Sequence, residues 1–111
     1  MGVCSSRQEI VLSDKEQVEF MNQIKVLLSD MDSYINQLKE QEVNYKMSRM
    51  IFILNCIKEI NPFIEIMETG RKCDPAIKDL IVFILNSVKE NDRKKYNSGI
   101  FELKKAFNET K

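Results

Sequence analysis

The residues of this chain whose types and spacing suggest chemistry lie at its start, in the run MGVCSSR over residues 1–7. The run fits Met-Gly-x-x-x-Ser/Thr, the pattern for myristoylation of Gly2 once Met1 is removed. Glycine has no acceptable substitute there, because the acyltransferase must thread an extended N-terminus into a narrow groove. Small residues follow, and the basic Arg7 is commonly favoured just beyond. The run therefore predicts a 14-carbon chain on Gly2.

Cys4 offers a second acylation site. A myristoyl group on Gly2 would hold the Cys4 thiol at the bilayer surface, where it can be S-palmitoylated. The second chain matters because one myristoyl group gives only reversible binding, with K on the order of 10⁴ M⁻¹. A polybasic patch is the usual substitute for a second chain, but acidic residues follow Arg7 from Glu9 onward. We therefore predict a doubly acylated anchor at Gly2 and Cys4.

The start of the chain resembles the dually acylated ends of several groups of intracellular proteins. They include G-protein alpha subunits, some calcium-dependent kinases and the small glideosome-associated proteins of parasites. The resemblance covers residues 1–7 only, and it implies an anchor in a eukaryote or a virus of one, with no activity attached. The alternative is an accidental match, since the pattern fixes only Gly2 and Ser6 after Met1.

The remaining sequence carries no recognisable catalytic or metal-binding pattern. It contains no histidine, which removes the commonest general base, the histidine-dependent triads and most zinc sites. The run Asp30-Met31-Asp32 begins like a calcium loop, but Ile35 stands where that loop needs glycine. We therefore expect a non-enzymatic protein with no metal and no cofactor.

The three cysteines follow no metal-binding or redox spacing, and their odd number favours a reducing compartment. Cys56 lies on the apolar face of a predicted helix and is interpreted as a small core residue rather than a nucleophile. Cys73 lies beside Arg71 and Lys72, whose charges should lower its pKa and raise its reactivity. An ordinary solvent-exposed thiol is the preferred interpretation of Cys73.

Length and charge limit the remaining possibilities. A chain of 111 residues predicts one domain. Its 17 basic and 17 acidic residues balance, so no overall field gathers nucleic acid. No apolar run approaches the ~18 residues that a membrane span needs. We predict a flexible acylated arm over residues 1–13 and one helical domain over residues 14–111.

Apolar spacing predicts an all-α bundle of four main helices with a long first helix. That helix should begin near Asp14, with an N-cap at Ser13-Asp14, and run to about Gln41. Its apolar residues follow alternating steps of three and four, which form a heptad seam: Met21, Ile24, Leu28, Met31, Ile35 and Leu38. The seam could pack inside one chain, bind a protein partner or join a homodimer.

The second helix is predicted from about Val43 to Ile60, although residues 14–60 could also form one long helix. Asn61-Pro62 should kink or divide this element, and the short segment that follows should end at Gly70. Residues 50–54 are apolar on all sides. Such a helix is typically central in a bundle, or it presents its outward face to a partner.

Two further helices complete the predicted bundle. Asp74-Pro75 predicts a capped start for a helix that ends near Glu90, and Asn91-Asp92 predicts the start of the last helix. A basic group could form one face that touches anionic lipid, at ~1 kcal/mol per residue: Lys89, Arg93, Lys94 and Lys95. The preferred alternative is a solvent-exposed helix face on which acidic side chains lie among the basic ones.

These features predict an adaptor or scaffold that Gly2 and Cys4 tether to the cytoplasmic face of a membrane, where it binds a protein partner. The alternative is a soluble cytoplasmic protein without lipid. It would be a helical regulatory or host-interaction protein, such as a viral modulator or inhibitor, acting by helix-in-groove binding. Nucleic acid is not an expected partner of either.

Overall fold

The computed structural model describes residues 11–109, so the predicted acylation sites Gly2 and Cys4 lie outside the described residues. Within this range the chain forms four α-helices and no strand: α1 (Asp14–Lys39), α2 (Lys46–Glu68), α3 (Pro75–Lys89) and α4 (Arg93–Glu109). The predicted all-α bundle with a long first helix is confirmed. None of the described helices is long and apolar enough to cross a membrane.

Local side-chain bonds explain where α1 and α3 begin. Ser13 and Glu16 form a capping box, in which the Glu16 N–H donates to Ser13 Oγ and the Ser13 N–H donates to Glu16 Oε1 at 2.9 Å. The Ile77 N–H donates to Oδ1 of Asp74 at 2.8 Å. Pro75 occupies the first turn of α3, where its missing N–H costs nothing. Both predicted starts are confirmed.

The bounds of α2 differ from the prediction. The helix begins at Lys46, separate from α1, and continues through Pro62 to Glu68, so Asn61-Pro62 does not divide it. A proline inside a helix costs roughly 3 kcal/mol, but Pro62 lies on the exposed face, and buried residues hold the turn that follows: Phe63, Ile64 and Met67. Gly70, with a φ of +118°, lies just beyond the helix end as predicted.

The four helices share one apolar core. The most extensive pairing joins α3 to α4, and α1 packs mainly on α2. Gly99 allows α4 to approach α3 closely, since a Cβ at this position would lie 2.6 Å from Cγ1 of Ile84. The largest fully buried aliphatic side chains come from every helix: Ile24, Leu38, Ile53, Ile60, Ile81, Ile84 and Leu103.

Side-chain and backbone contacts define two ends of the bundle. At the arm end, where residues 11–13 join α1, the Leu12 N–H donates to the carbonyl of Cys73 at 2.8 Å. At the far end, where α1 and α3 finish and α2 and α4 begin, the Arg93 guanidinium donates to the carbonyl of Ser48 at 3.0 Å. Successive helices therefore run in opposite directions along the bundle.

Candidate functional site

The predicted heptad seam of α1 lies in the core of its own chain. Five of its residues are buried and Met31 is half-buried against the core: Met21, Ile24, Leu28, Met31, Ile35 and Leu38. Of the three alternatives for the seam, this burial agrees with packing inside one chain. A protein partner or a second copy could reach most of these side chains only if the bundle opened.

A cleft of about 390 Å³ lies between α1 and α3, toward the far end, with α2 beneath it. We call it the α1–α3 cleft. Its apolar lining comes from three helices: Leu27, Met31, Ile53, Leu85 and Val88. Its polar lining residues are Asp30, Tyr34, Arg49, Asn86 and Lys89. Small-molecule sites typically measure roughly 300–1,000 Å³ and are mostly apolar, so the cleft has the size and lining of a binding site.

Arg49 of α2 lines the cleft and contacts both α1 and α3. Its Nη1 donates to the carbonyl of Val88 and, at 3.2 Å, to Oδ1 of Asn91. Its Nη2 donates to the carbonyl of Lys89 at 3.4 Å. These carbonyls belong to the last turn of α3, which lacks intrahelical donors and carries the negative end of the helix dipole. The guanidinium also lies 5.9 Å from the centre of the Tyr34 ring on α1.

A second surface lies on the outward side of the first half of α2. Met47, Ile51 and Leu54 recur at steps of four and three, and they are 62, 50 and 43 % exposed. We call this group the α2 outer face. The helix is therefore not enclosed on all sides: Phe52 and Ile53 enter the core while the opposite side meets solvent. Grouped exposed apolar side chains with polar surroundings are typical of interaction sites.

The structure contradicts the prediction of an exposed or reactive Cys73. The residue is fully buried, and burial, reinforced by the Asp74 charge, raises the pKa of its thiol to about 11. The cations of Lys78 and Arg71 act in the opposite direction but do not outweigh burial. Cys56 is a core residue as predicted, and burial raises its pKa to about 12.

Gln17 is hydrogen-bonded to the loop that contains Cys73, a role that was not predicted from the sequence. The Gln17 side chain is buried; its Oε1 accepts from the Cys73 N–H at 2.8 Å. Its Nε2 donates to the carbonyls of Arg71 at 2.9 Å and of Met67 at 3.3 Å. A signal was present, since Gln17 stands four residues before Met21 and thus in line with the apolar seam.

The four basic residues of the predicted lipid-binding group, at the end of α3 and the start of α4, are all exposed. Lys95 pairs with Glu90 at 3.3 Å. The Arg93 guanidinium donates to Ser48 Oγ at 2.6 Å and lies 5.0 Å from the centre of the Phe52 ring. Lys89 lines the α1–α3 cleft, and Lys94 is exposed. Two of the four cations are therefore engaged within the chain, and contact with anionic lipid stays a prediction.

Comparison with protein-family models, with curated proteins and with solved structures gave no match to this chain. Within residues 11–109, no three acidic or cysteine side chains come together as a metal site.

Proposed function

We propose that this protein is a non-enzymatic adaptor, which acyl groups on Gly2 and Cys4 tether to the cytoplasmic face of a membrane and which binds a protein partner there. The observation that carries the proposal is the separation of two features along the bundle. The predicted anchor joins at one end, and the exposed apolar side chains of the α2 outer face lie toward the other.

The separation follows from helix geometry. The arm residue Leu12 bonds to Cys73, in the loop that follows the C-terminal end of α2. Met67, near that end, is 20 residues from Met47 and 13 from Leu54, which corresponds to about 30 Å and about 20 Å along α2 at 1.5 Å per residue. A membrane bound at the arm end would therefore leave the α2 outer face clear for a partner.

The α2 outer face suits an apolar partner helix. Its side chains recur at positions i, i+4 and i+7, the spacing that helix-in-groove contacts use. A partner that buries these side chains would gain a binding free energy of roughly 25 cal/mol per Å² of apolar surface removed from water. Lys58 continues the stripe one turn after Leu54 and is exposed, so a charged residue borders the apolar side chains.

A soluble regulatory or host-interaction protein is the second candidate. The α1–α3 cleft favours it, because a groove between two helices can receive a helix of another protein without any lipid anchor. This candidate is indifferent to Gly2, whereas the adaptor requires it.

Cell fractionation and intact mass separate the two candidates. For the adaptor, we expect a mass increase of one myristoyl group after loss of Met1, together with a hydroxylamine-labile palmitoyl group. Gly2→Ala should then leave the membrane fraction while its helical circular dichroism stays unchanged. Membrane association that persists in Gly2→Ala would contradict the anchor, and an unmodified mass would favour the soluble candidate.

Partner binding has its own test. Cross-linking in the membrane fraction should capture a partner with the wild-type chain and lose it with Ile51→Asp. The matched control is Asn61→Asp, which places the same charge on an exposed residue of α2 that lies ten residues beyond Ile51 and outside the α2 outer face. Equal cross-linking in both variants would remove the α2 outer face from the proposal without affecting the anchor.

A further inference from the structure

The arm joins the bundle on the same inter-helix seam that leads to the α1–α3 cleft. Leu12 bonds to Cys73, two residues before α3, and Gln17 of α1 bonds to the same residue. Four residues into α3, the ammonium of Lys78 lies 5.5 Å from the centre of the Phe20 ring. Farther along the same two helices lies the cleft. One seam therefore connects residues 11–13 with the cleft.

We propose that the α1–α3 cleft binds the acyl chain of the protein's own Gly2, which gives the protein a state that withholds its lipid from the membrane. The inference rests on the proposed acylation of Gly2. The cleft's apolar lining from α1, α2 and α3 matches a hydrocarbon chain. Its volume of about 390 Å³ also matches, since 14 carbon groups need on the order of 400 Å³ if each takes the ~30 Å³ of a liquid water molecule.

The arm is long enough to bring Gly2 to the cleft. Val11 is nine residues after Gly2 in the sequence, and an extended chain spans at most about 3.3–3.6 Å per residue, or roughly 30 Å in all. The near edge of the cleft, at Leu27, is 14 residues from Ser13 along α1, or about 21 Å. Gly2 therefore reaches the cleft with length to spare. Acylation also removes the N-terminal ammonium charge, which would otherwise oppose an approach to apolar side chains.

Docking and membrane insertion compete for the same acyl chain. If nine-tenths of the molecules are docked, the apparent membrane affinity falls about tenfold, because only the undocked fraction can bind. A single myristoyl chain has K on the order of 10⁴ M⁻¹. At ~1 mM accessible lipid, that fall changes a singly acylated protein from mostly bound to about half bound. The cleft would thus regulate the reversible membrane binding of the myristoyl chain, which precedes palmitoylation of Cys4.

Methionine methyl groups report directly on the cleft. The experiment uses the full chain with Cys4→Ser, labelled with ¹³C at the methionine methyl groups, with and without enzymatic myristoylation of Gly2. We expect the Met31 methyl resonance to shift on acylation and to show nuclear Overhauser effects to acyl methylenes. The Met47 resonance, on the α2 outer face, should not move. An unshifted Met31 without acyl contacts overturns the proposal and leaves the cleft to a partner helix.

A plug in the cleft tests the competition. Asn86 is exposed and lines the cleft, so Asn86→Trp should fill it and release the acyl chain. The control is Asn97→Trp, an exposed position on α4 that does not line the cleft. On myristoylated protein and phosphatidylcholine vesicles, we expect Asn86→Trp to sediment with about tenfold higher affinity than the wild type, and the control to match the wild type. Equal affinity of all three overturns the proposal.

The two failures can be told apart. Protein that is never acylated in eukaryotic cells would refute the anchor, while the enzymatically acylated chain still tests the cleft. Normal acylation with strong vesicle binding and no Met31 shift would refute the cleft and keep the anchor.

Discussion

Replacement of Gln17 by leucine should destabilise the arm end of the bundle strongly. Gln17 is buried and makes three backbone hydrogen bonds, one to the last turn of α2 and two to the segment between α2 and α3. Leucine has a similar size but neither donates nor accepts. The change therefore isolates the hydrogen bonds from the packing of the side chain.

The size of the stability loss follows from the backbone groups that lose their hydrogen-bond partner in Gln17→Leu. The buried Cys73 N–H loses its acceptor, and an unsatisfied buried donor costs about 1–3 kcal/mol. The two bonds from Nε2 to the carbonyls of Arg71 and Met67 add a smaller amount, since the Met67 carbonyl also accepts from the Gly70 N–H at 3.3 Å. We expect a decrease in the free energy of unfolding of about 3 kcal/mol. For a domain of this size, ~4 °C per kcal/mol gives a Tm lower by about 12 °C.

Urea unfolding followed by circular dichroism measures this loss. The control is Gln23→Leu, an exposed glutamine on the same helix, which should stay within about 0.5 kcal/mol of the wild type. Gln17→Glu adds a pH test, because its carboxylate would face two carbonyl oxygens and its folded-state pKa would rise. Its stability should therefore be highest below the unfolded pKa of glutamate and be lost as the pH rises. A cost below about 1 kcal/mol for Gln17→Leu would refute the reasoning.

Four further predictions concern the helix start, the helix crossing, the buried thiols and the pH dependence of stability. Ser13→Ala should lower the free energy of unfolding by about 1 kcal/mol through loss of the capping box, with the exposed Ser29→Ala as the control, both measured in urea. Gly99→Ala should destabilise by about 1–2 kcal/mol in thermal unfolding, because its methyl group would press on Ile84 and overpacking outweighs the gain in helix propensity; a more stable variant would contradict the close crossing. With the N-terminal cysteine replaced by serine, the native protein should not react with a thiol reagent at pH 8, and two equivalents should react in guanidinium. Burial raises the pKa of both buried cysteines, and burial followed by the hydrogen bond to Glu59 raises that of Tyr96, so the folded state keeps protons that the unfolded state has lost. Stability should thus decrease as the pH rises above about 9, and urea titrations at constant stability from pH 8 to 10.5 would contradict this.

The sequence predicted those parts of the fold that local chemistry controls. Ser13 and Asp74 supply oxygens that satisfy the first free N–H groups of their helices, and this need is visible in the sequence alone. The spacing of the α1 seam indicated which side would be buried. Gly70 marked the end of α2, because few other residues tolerate its positive φ.

The errors occurred where tertiary contacts outweigh local preference. Pro62 predicts a kink or a division of α2. The helix is not divided, because the Pro62 ring meets solvent while the following turn is fixed by core packing. The charges of its sequence neighbours predict a lowered pKa for the Cys73 thiol. Its real surroundings are set by Gln17, which is 56 residues away in the sequence.

The two surfaces differ in how far the sequence could reveal them. The apolar run over residues 50–54 suggested either a central helix or an outward binding face, and only the packed bundle shows that Ile51 and Leu54 meet solvent. The α1–α3 cleft had no signal in the sequence, because its walls come from three helices. Arg49, which joins those helices, looks in the sequence like any surface cation.

The extensive pairing of α3 with α4 has a consequence for the order of events during synthesis. Its contacts join helices that are adjacent in sequence, and such local contacts favour fast folding. This hairpin is also the last part that the ribosome makes. The arm ends at Ser13 and α3 ends at Lys89, and a segment of this length takes roughly 4–15 s to add at about 5–20 residues per second. Until α3 is complete the nascent chain has no α1–α3 cleft, so an enzyme that acylates Gly2, as proposed above, would meet Gly2 before the proposed docking site exists.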